Sequence, residues 1–327
     1  MALHTRFTFR SALALCLTST LWSAGGCASR PTLDEQFVAA EAFERGDYAA
    51  AFEQSLPLAQ RGDREAQFRV AVLLDDGLGV TSDPSEAARW YRRAADGGHA
   101  GAQLNLGLAY QAGRGIARDS VEAARWLQRA ATQGLARAQF SLARLIEAGQ
   151  GVEQDLEKAA LWMRAAATQG FALAQAELGL AYLRGRGVRQ DDEEAAEWLR
   201  AAAEQDIAVA QANLGLLYLR GQGVPLDRER AAHWMERAAT LGFVSAQARV
   251  AGMYEHGVGV DADPATALFW YLLAERAGDA DAGRRRVALA LTLTPGAGAE
   301  AERRAAMWEA SREAATLASP LDPPAWP

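Results

Sequence analysis

A spacing of 36 residues constrains this chain more than any other feature. Tryptophan recurs at Trp90, Trp126, Trp162, Trp198, Trp234 and Trp270. A Gly-x-Gly moves in step, from Gly77/Gly79 through Gly113/Gly115, Gly149/Gly151, Gly185/Gly187 and Gly221/Gly223 to Gly257/Gly259. An Ala-Gln pair does the same, from Ala66-Gln67 to Ala246-Gln247. A fixed period of this length means a stack of small supersecondary units, each burying its apolar face against the next. The 327 residues alone would suggest about two globular domains. A stack that grows in one dimension is free of that limit.

The second unit, Ala102 to Gly134, shows the pattern. Ala102, Leu106, Gly107 and Tyr110 share one side of a 3.6-residue helix. The small slot recurs as Ala71, Gly107, Ala143, Gly179, Gly215 and Ala251. Glycine costs a helix interior about 1 kcal/mol, so a close approach of two backbones is expected there. Gly113 ends this first helix in the left-handed conformation, Gly115 allows a second unusual dihedral, and Ile116 (valine elsewhere) enters the core. Asp119 opens a second helix, and aspartate fills that slot six times: Asp83, Asp119, Asp155, Asp191, Asp227 and Asp263. Its carboxylate accepts from the free N–H groups of the first turn, which accounts for all six without catalysis. Glu86, Glu122 and Glu194 supply the third-position acid of a capping box, and Pro84 and Pro264 stand at the first helical position.

Ala123, Trp126 and Ala130 form one stripe on the second helix. The two alanine slots hold alanine in all six units and let the helices sit close, while the indole fills the gap between neighbours. A buried tryptophan covers about 150–250 Å², or roughly 4–6 kcal/mol of transfer energy as an upper estimate. These rings read as core, not as a ligand cage. Gly134 ends the second helix. In the fourth unit Asp206 holds that slot, where aspartate can visit the left-handed region at some cost.

The flanks differ. Arg6 and Arg10 precede a short apolar run from Ser11 to Trp22, and Ala24-Gly25-Gly26 then leads to Cys27. That three-part layout reads as a secretory signal over residues 1–26, too short to span a membrane. Small residues directly before a cysteine resemble the bacterial lipobox. That resemblance implies cleavage before Cys27, a diacylglyceryl thioether on its sulfur and acylation of its amino group. Cys16 leaves with the signal, so the mature chain has no partner for a disulfide. Residues 27–33 form a tether. Residues 34–62 are a degenerate N-terminal pair of capping helices, with Leu33–Arg45 and Tyr48–Gln60 as the helical spans. Six full units occupy 63–278. Capping helices fill 279–317, read as Ala282 to about Leu293, stopped by Pro295, and then Glu300–Leu317. A proline-rich, disordered tail closes the chain at 318–327.

The pattern A-x(3)-L-G-x(2)-Y-x(2)-G-x-G-V-x(2)-D-x(3)-A-x(2)-W-x(3)-A-A-x(2)-G resembles the Sel-one-like repeat (SLR), related to the tetratricopeptide repeat. The resemblance implies an all-α fold, a right-handed α/α superhelical solenoid of 36-residue helix-turn-helix repeats. It implies an adaptor for protein complexes, and exported bacterial members include lipoproteins that scaffold secretion or envelope machinery. A cysteine-rich subgroup is linked to penicillin binding and β-lactamase activity, but no repeat of this chain contains cysteine.

Catalytic chemistry finds no foothold in the residues. His99, His233 and His256 fall at non-equivalent slots without metal-ligand spacing. Gly-x-Gly lacks the strand-turn-helix context of a nucleotide cradle, no serine nucleophile elbow occurs, and Lys158 is the sole lysine. No catalytic residue, metal or cofactor is therefore expected. Loss of residues 1–26, which hold two arginines and no acid, takes the formal charge from −7 to −9. No basic field for nucleic acid follows. Slots that vary between units are the candidates for a partner. Arg69, Asn105, Asn213 and Arg249 share one slot of the first helix, and Arg184 and Arg220 share another seven residues on, on the same face. In tetratricopeptide-like solenoids that face is concave, and these side chains suit a peptide backbone or carboxylates. The favoured reading is a monomeric, non-enzymatic scaffold, lipid-anchored at Cys27 and facing the periplasm, with Ala28 pointing to the outer membrane. A glycan-linked factor or enzyme, and a soluble periplasmic chaperone, are the alternatives.

Overall fold

The computed structural model of the chain describes residues 32–318. The expected signal segment, Cys27, most of the tether and the tail from Ser319 onward lie outside the described residues. Within them are sixteen α-helices and no strand. The first two are α1 (Leu33–Glu44) and α2 (Tyr48–Gln60). Six helix pairs follow: α3 (Arg64–Asp76) with α4 (Pro84–Asp96), α5 (Ala100–Ala112) with α6 (Ser120–Thr132), and α7 (Ala136–Ala148) with α8 (Leu156–Thr168). Next come α9 (Ala172–Arg184) with α10 (Asp192–Glu204), α11 (Ala208–Arg220) with α12 (Arg228–Thr240), and α13 (Val244–His256) with α14 (Pro264–Arg276). The chain closes with α15 (Ala280–Ala290) and α16 (Pro295–Ala318). Each helix packs on its predecessor and its successor, which makes an α/α solenoid. First helices also touch across a second helix, as α9 and α11 do across α10.

Local rules set the helix ends. All six predicted aspartates are N-caps, each with its side chain accepting from backbone N–H groups of the first turn. Each first helix ends on a glycine in the left-handed region, such as Gly113 at φ +74°. Asp206 is the single non-glycine residue at positive φ among the described residues, at +61°. The glycines in its slot sit near +90°, so aspartate has moved into the left-handed well that a Cβ tolerates.

The capping boxes expected at Glu86, Glu122 and Glu194 do not form. Their target, the N–H of the capping aspartate, is already spent. Asp83, Asp119 and Asp191 donate it to the carbonyls of Leu74, Tyr110 and Tyr182 on the preceding helix, at 2.8, 3.0 and 3.2 Å. The glutamates turn forward instead. Glu122 and Glu194 accept from the indole N–H of Trp126 and Trp198 at 3.0 and 3.2 Å, and Glu86 pairs with Arg89. Among the described residues the one complete capping box is at Thr32 and Glu35, where the N–H of Thr32 is free to donate to the glutamate.

The core follows the predicted stripe. The paired alanine slots are buried throughout, and Trp90, Trp126 and Trp270 are almost wholly enclosed. Trp162, Trp198 and Trp234 are half-buried. Gly107 meets its expected close neighbour: a Cβ there would lie 2.8 Å from Cγ of Leu127. The second glycine of each turn has a reason that periodicity did not disclose. A Cβ on Gly115 would overlap the carbonyl of Pro84, in the first turn of the preceding unit's second helix. Gly79, Gly151, Gly187, Gly223 and Gly259 meet equivalent backbone. The turn of one repeat is thus seated directly on the helix start of the repeat before it.

Buried glutamines tie the same joints. Gln103 donates from Nε2 to the carbonyl of Ala95 at 3.1 Å, and Gln67, Gln139, Gln175, Gln211 and Gln247 repeat the bond onto the end of the preceding second helix. In three units a further glutamine completes the amide: Gln133, Gln169 and Gln205 donate to Oε1 of Gln103, Gln139 and Gln175 at 2.7–2.8 Å. Leu241 and Ala277 hold that slot in the last two units. There Oε1 of Gln211 and of Gln247 is buried without a partner among the described residues.

The C-terminal cap departs from the expected spans. Pro295 does not stop α15, which ends at Ala290. It opens α16, where a proline at the first position gives up an N–H that would be unbonded in any case. Helix α16 leaves the register and lies mainly on α14. Arg276 of α14 bonds Glu302 and Glu309, and Arg304 covers the ring of Phe269 at 4.6 Å.

Two substitutions test these joints by chemical denaturation. Gly134→Ala has open space around it and should cost about 1–2 kcal/mol, the left-handed penalty alone. Gly115→Ala adds a backbone collision and should cost clearly more. Leu241→Gln should stabilise by about 1 kcal/mol by supplying the donor that Gln211 lacks; Leu241 is 41% exposed, so little apolar burial is given up.

Candidate docking face

The first helices α3, α5, α7, α9, α11 and α13, continued by α15, present one face of the solenoid, grooved between neighbours. One groove, of about 480 Å³, is lined by Gln111, Ser141, Arg144, Glu147, Ala148 and Arg186. The slots singled out from sequence all fall on these helices, but their surroundings differ from one end to the other.

At the N-terminal end the polar groups are engaged. Arg69 is half-buried and donates to Oγ of Ser55 at 3.3 Å, and burial pulls its pKa down. Asn105 is half-buried and donates to the hydroxyl of Tyr91 at 3.2 Å. That hydroxyl faces Asp75, 3.5 Å away, whose other oxygen pairs with Arg114 at 2.9 Å. Burial pushes the pKa of Asp75 up, against the pull of Arg114, and burial pushes Tyr91 far up as well. The middle is self-neutralised: Arg144 pairs with Glu177 at 3.2 Å and Arg186 with Glu147 at 3.3 Å. Each joins consecutive units and is worth at most about 1 kcal/mol at such exposure.

Toward the C-terminus the picture changes. Asn213 turns its amide to the carbonyl of Val209 in its own helix, at 2.7 Å. Arg184, Arg220 and Arg249 are exposed, and none has a hydrogen-bond or ion-pair partner among the described residues. The face therefore carries three uncommitted guanidinium groups in its C-terminal half. Such groups take carboxylates in a two-bond fork.

Sequence reading missed the tyrosine contacts between units. Tyr110, Tyr182 and Tyr218 accept at their hydroxyls from Arg92, Arg164 and Arg200 of the preceding second helix, and Tyr254 donates to Glu236 at 2.9 Å. The signal was present: each pair lies 18 residues apart, half the period. Of the histidines, His99 caps α5, accepting at Nδ1 from the N–H of Ala102 at 3.1 Å and meeting Glu65 at Nε2. No cluster of three or more His, Cys, Asp or Glu side chains that could hold a metal occurs among the described residues.

The Sel1 repeat model matches six consecutive segments, 64–99, 100–135, 136–171, 172–207, 208–243 and 244–279. The chain is similar to a Sel1 repeat protein from Oxalobacter formigenes, with 32% identity and a TM-score of 0.66 over 74% of this chain and 97% of that one. It is also similar to a protective antigen present in uropathogenic Escherichia coli strains that displays an SLR fold. There the identity is 26% and the TM-score 0.58, over 90% of this chain and 73% of the other. None of the curated proteins matches the chain. Proteins built from these repeats generally serve as protein–protein interaction scaffolds. With the repeat model matched over most of its length, and with helix pairs stacked in that register, the chain belongs to the Sel1 repeat family.

Proposed function

We propose that this protein is a lipid-anchored scaffold of the bacterial cell envelope, which holds a segment of a partner protein along the face of its first helices. The observation that carries the reading is the set of uncommitted cations, Arg184, Arg220 and Arg249, on a face whose central arginines, Arg144 and Arg186, are ion-paired. Every fixed slot of the repeat is occupied with packing, capping or turn geometry, so these variable positions remain for recognition. The lipobox-like residues before Cys27 support the anchor. Two or more acyl chains hold a protein stably at a membrane, at about 0.8 kcal/mol per buried methylene. No helix among the described residues is long and apolar enough to cross a membrane. Ala28 after Cys27 favours the outer membrane, with the repeats facing the periplasm.

Two experiments test this. A photo-reactive residue at 184 or 220 should crosslink to a discrete partner in native membranes, whereas one at Glu197 or His233, exposed on second helices, should not. Equal yields from both sets would remove the assignment of the face. Metabolic labelling with an alkyne fatty acid should mark the wild-type protein and leave Cys27→Ser unmarked. Label on the serine variant would remove the anchor.

A further inference from the structure

Two adjacent first helices carry an open apolar stripe that their sister helices lack. In α9 the stripe is Leu173, Leu180 and Leu183, and in α11 it is Val209, Leu216 and Leu219. Steps of seven and then three residues keep each set on one side of its helix. At the third of these slots α3, α5, α7 and α13 hold Asp75, Gln111, Glu147 and Glu255. The slots belong to the docking face: Arg144 and Glu147 line the groove described above, and Ser245 and Gly252 line another, of about 450 Å³, between α13 and α15. Leu183, Val209, Leu216 and Leu219 pack against the core but are only partly buried, Leu180 is buried, and Leu173 is 47% exposed. Helices α9 and α11 touch across α10, so the two stripes form one apolar strip.

The strip ends in cations. Arg184 and Arg220 directly follow Leu183 and Leu219, and both are exposed without a partner among the described residues. No acid of either helix stands at that end. Helix α11 contains no acid, and the one acid of α9, Glu177, lies midway and is paired with Arg144 at 3.2 Å. Asn213, in the slot of Glu177, spends its amide on the carbonyl of Val209. On the flanking helices Glu147 pairs with Arg186, and Glu255 accepts from the Tyr271 hydroxyl at 2.7 Å.

We propose that this strip seats an amphipathic helix of the partner protein, apolar on the side that meets α9 and α11 and acidic at the end that meets Arg184 and Arg220. This rests on the scaffold reading and names the chemistry of the segment held. At about 1.5 Å per residue, the three levels of each stripe lie roughly 10 and 5 Å apart, which are also the seven- and three-residue steps of an opposing helix. The leucine contacts supply apolar burial. The two guanidinium groups fix which way the helix lies, because an otherwise uncharged strip is cationic at one end only.

The test is fluorescence anisotropy on the full chain carrying Cys27→Ser, so that no detergent competes for the strip. The probe is a labelled, end-blocked helical peptide with a leucine stripe and a pair of glutamates in its first turn. One control peptide has serine for the leucines, and another has lysine for the glutamates. The probe should bind, and each control should bind at least tenfold more weakly. Leu183→Gln with Leu219→Gln copies Gln111 of α5, so it should fold, and it should weaken binding at least tenfold. Leu161→Ser removes a leucine of α8 that is 68% exposed and should change binding less than twofold. Arg184→Glu with Arg220→Glu, in a slot where α3 already holds Asp76, should reverse the preference toward the lysine peptide. No binding to the wild type, undiminished binding by the double glutamine variant, an equal loss in Leu161→Ser, or an unreversed preference would overturn the inference. If crosslinks from 184 and 220 persist in that event, the scaffold reading stands and only the amphipathic helix falls.

Discussion

One backbone contact sets the geometry of this molecule: the second glycine of each turn against the first turn of the preceding unit's second helix. Because no Cβ fits between them, the contact is made by main chain on main chain. It has little room to slide, so it fixes how far each hairpin is offset from the last. The indole stripe, the glutamine bonds and the tyrosine–arginine contacts all bridge helices whose spacing that offset has already determined. A period held to 36 residues through six units is the sequence record of this requirement, since an insertion in the turn would lift one repeat off the next.

What could be read in advance was whatever depends on local backbone rules. Aspartate caps, left-handed glycines, the alanine–tryptophan stripe and the strained Asp206 all behave as their residue types dictate. The misreadings came where a group's partner lay elsewhere in the fold. The glutamates three residues after the caps match a capping box, but the N–H they would accept is claimed by the previous helix. The Ala-Gln recurrence was visible, yet its reason is a carbonyl eight residues back on another helix. The docking face shows the same limit. Arg69 and Arg249 share a slot and a residue type; one is tied to Ser55 and the other is not, because the slot of Ser55 holds Met235 five periods later.

The use of arginine over lysine is also physical. Lysine and arginine number 34 together, with Lys158 as the single lysine. Guanidinium groups lie over Trp90, Trp126 and Trp234 at 4.2–5.0 Å, and over Tyr110 and Tyr182 while also donating to those hydroxyls. A planar, delocalised cation can stack and donate at once; an ammonium group cannot do both in this geometry.

The glutamine pairs are complete only in the three central repeats, the second to the fourth, and the inter-unit ion pairs of Arg144 and Arg186 fall there too. In a linear array, the stability of each unit is its own plus that of its two joints. An inner repeat is held from both sides, whereas a hairpin at either end is held from one side only. A force pulling on the C-terminal repeats, as from a bound partner, would be taken up first by the outermost hairpin before it reached the inner ones.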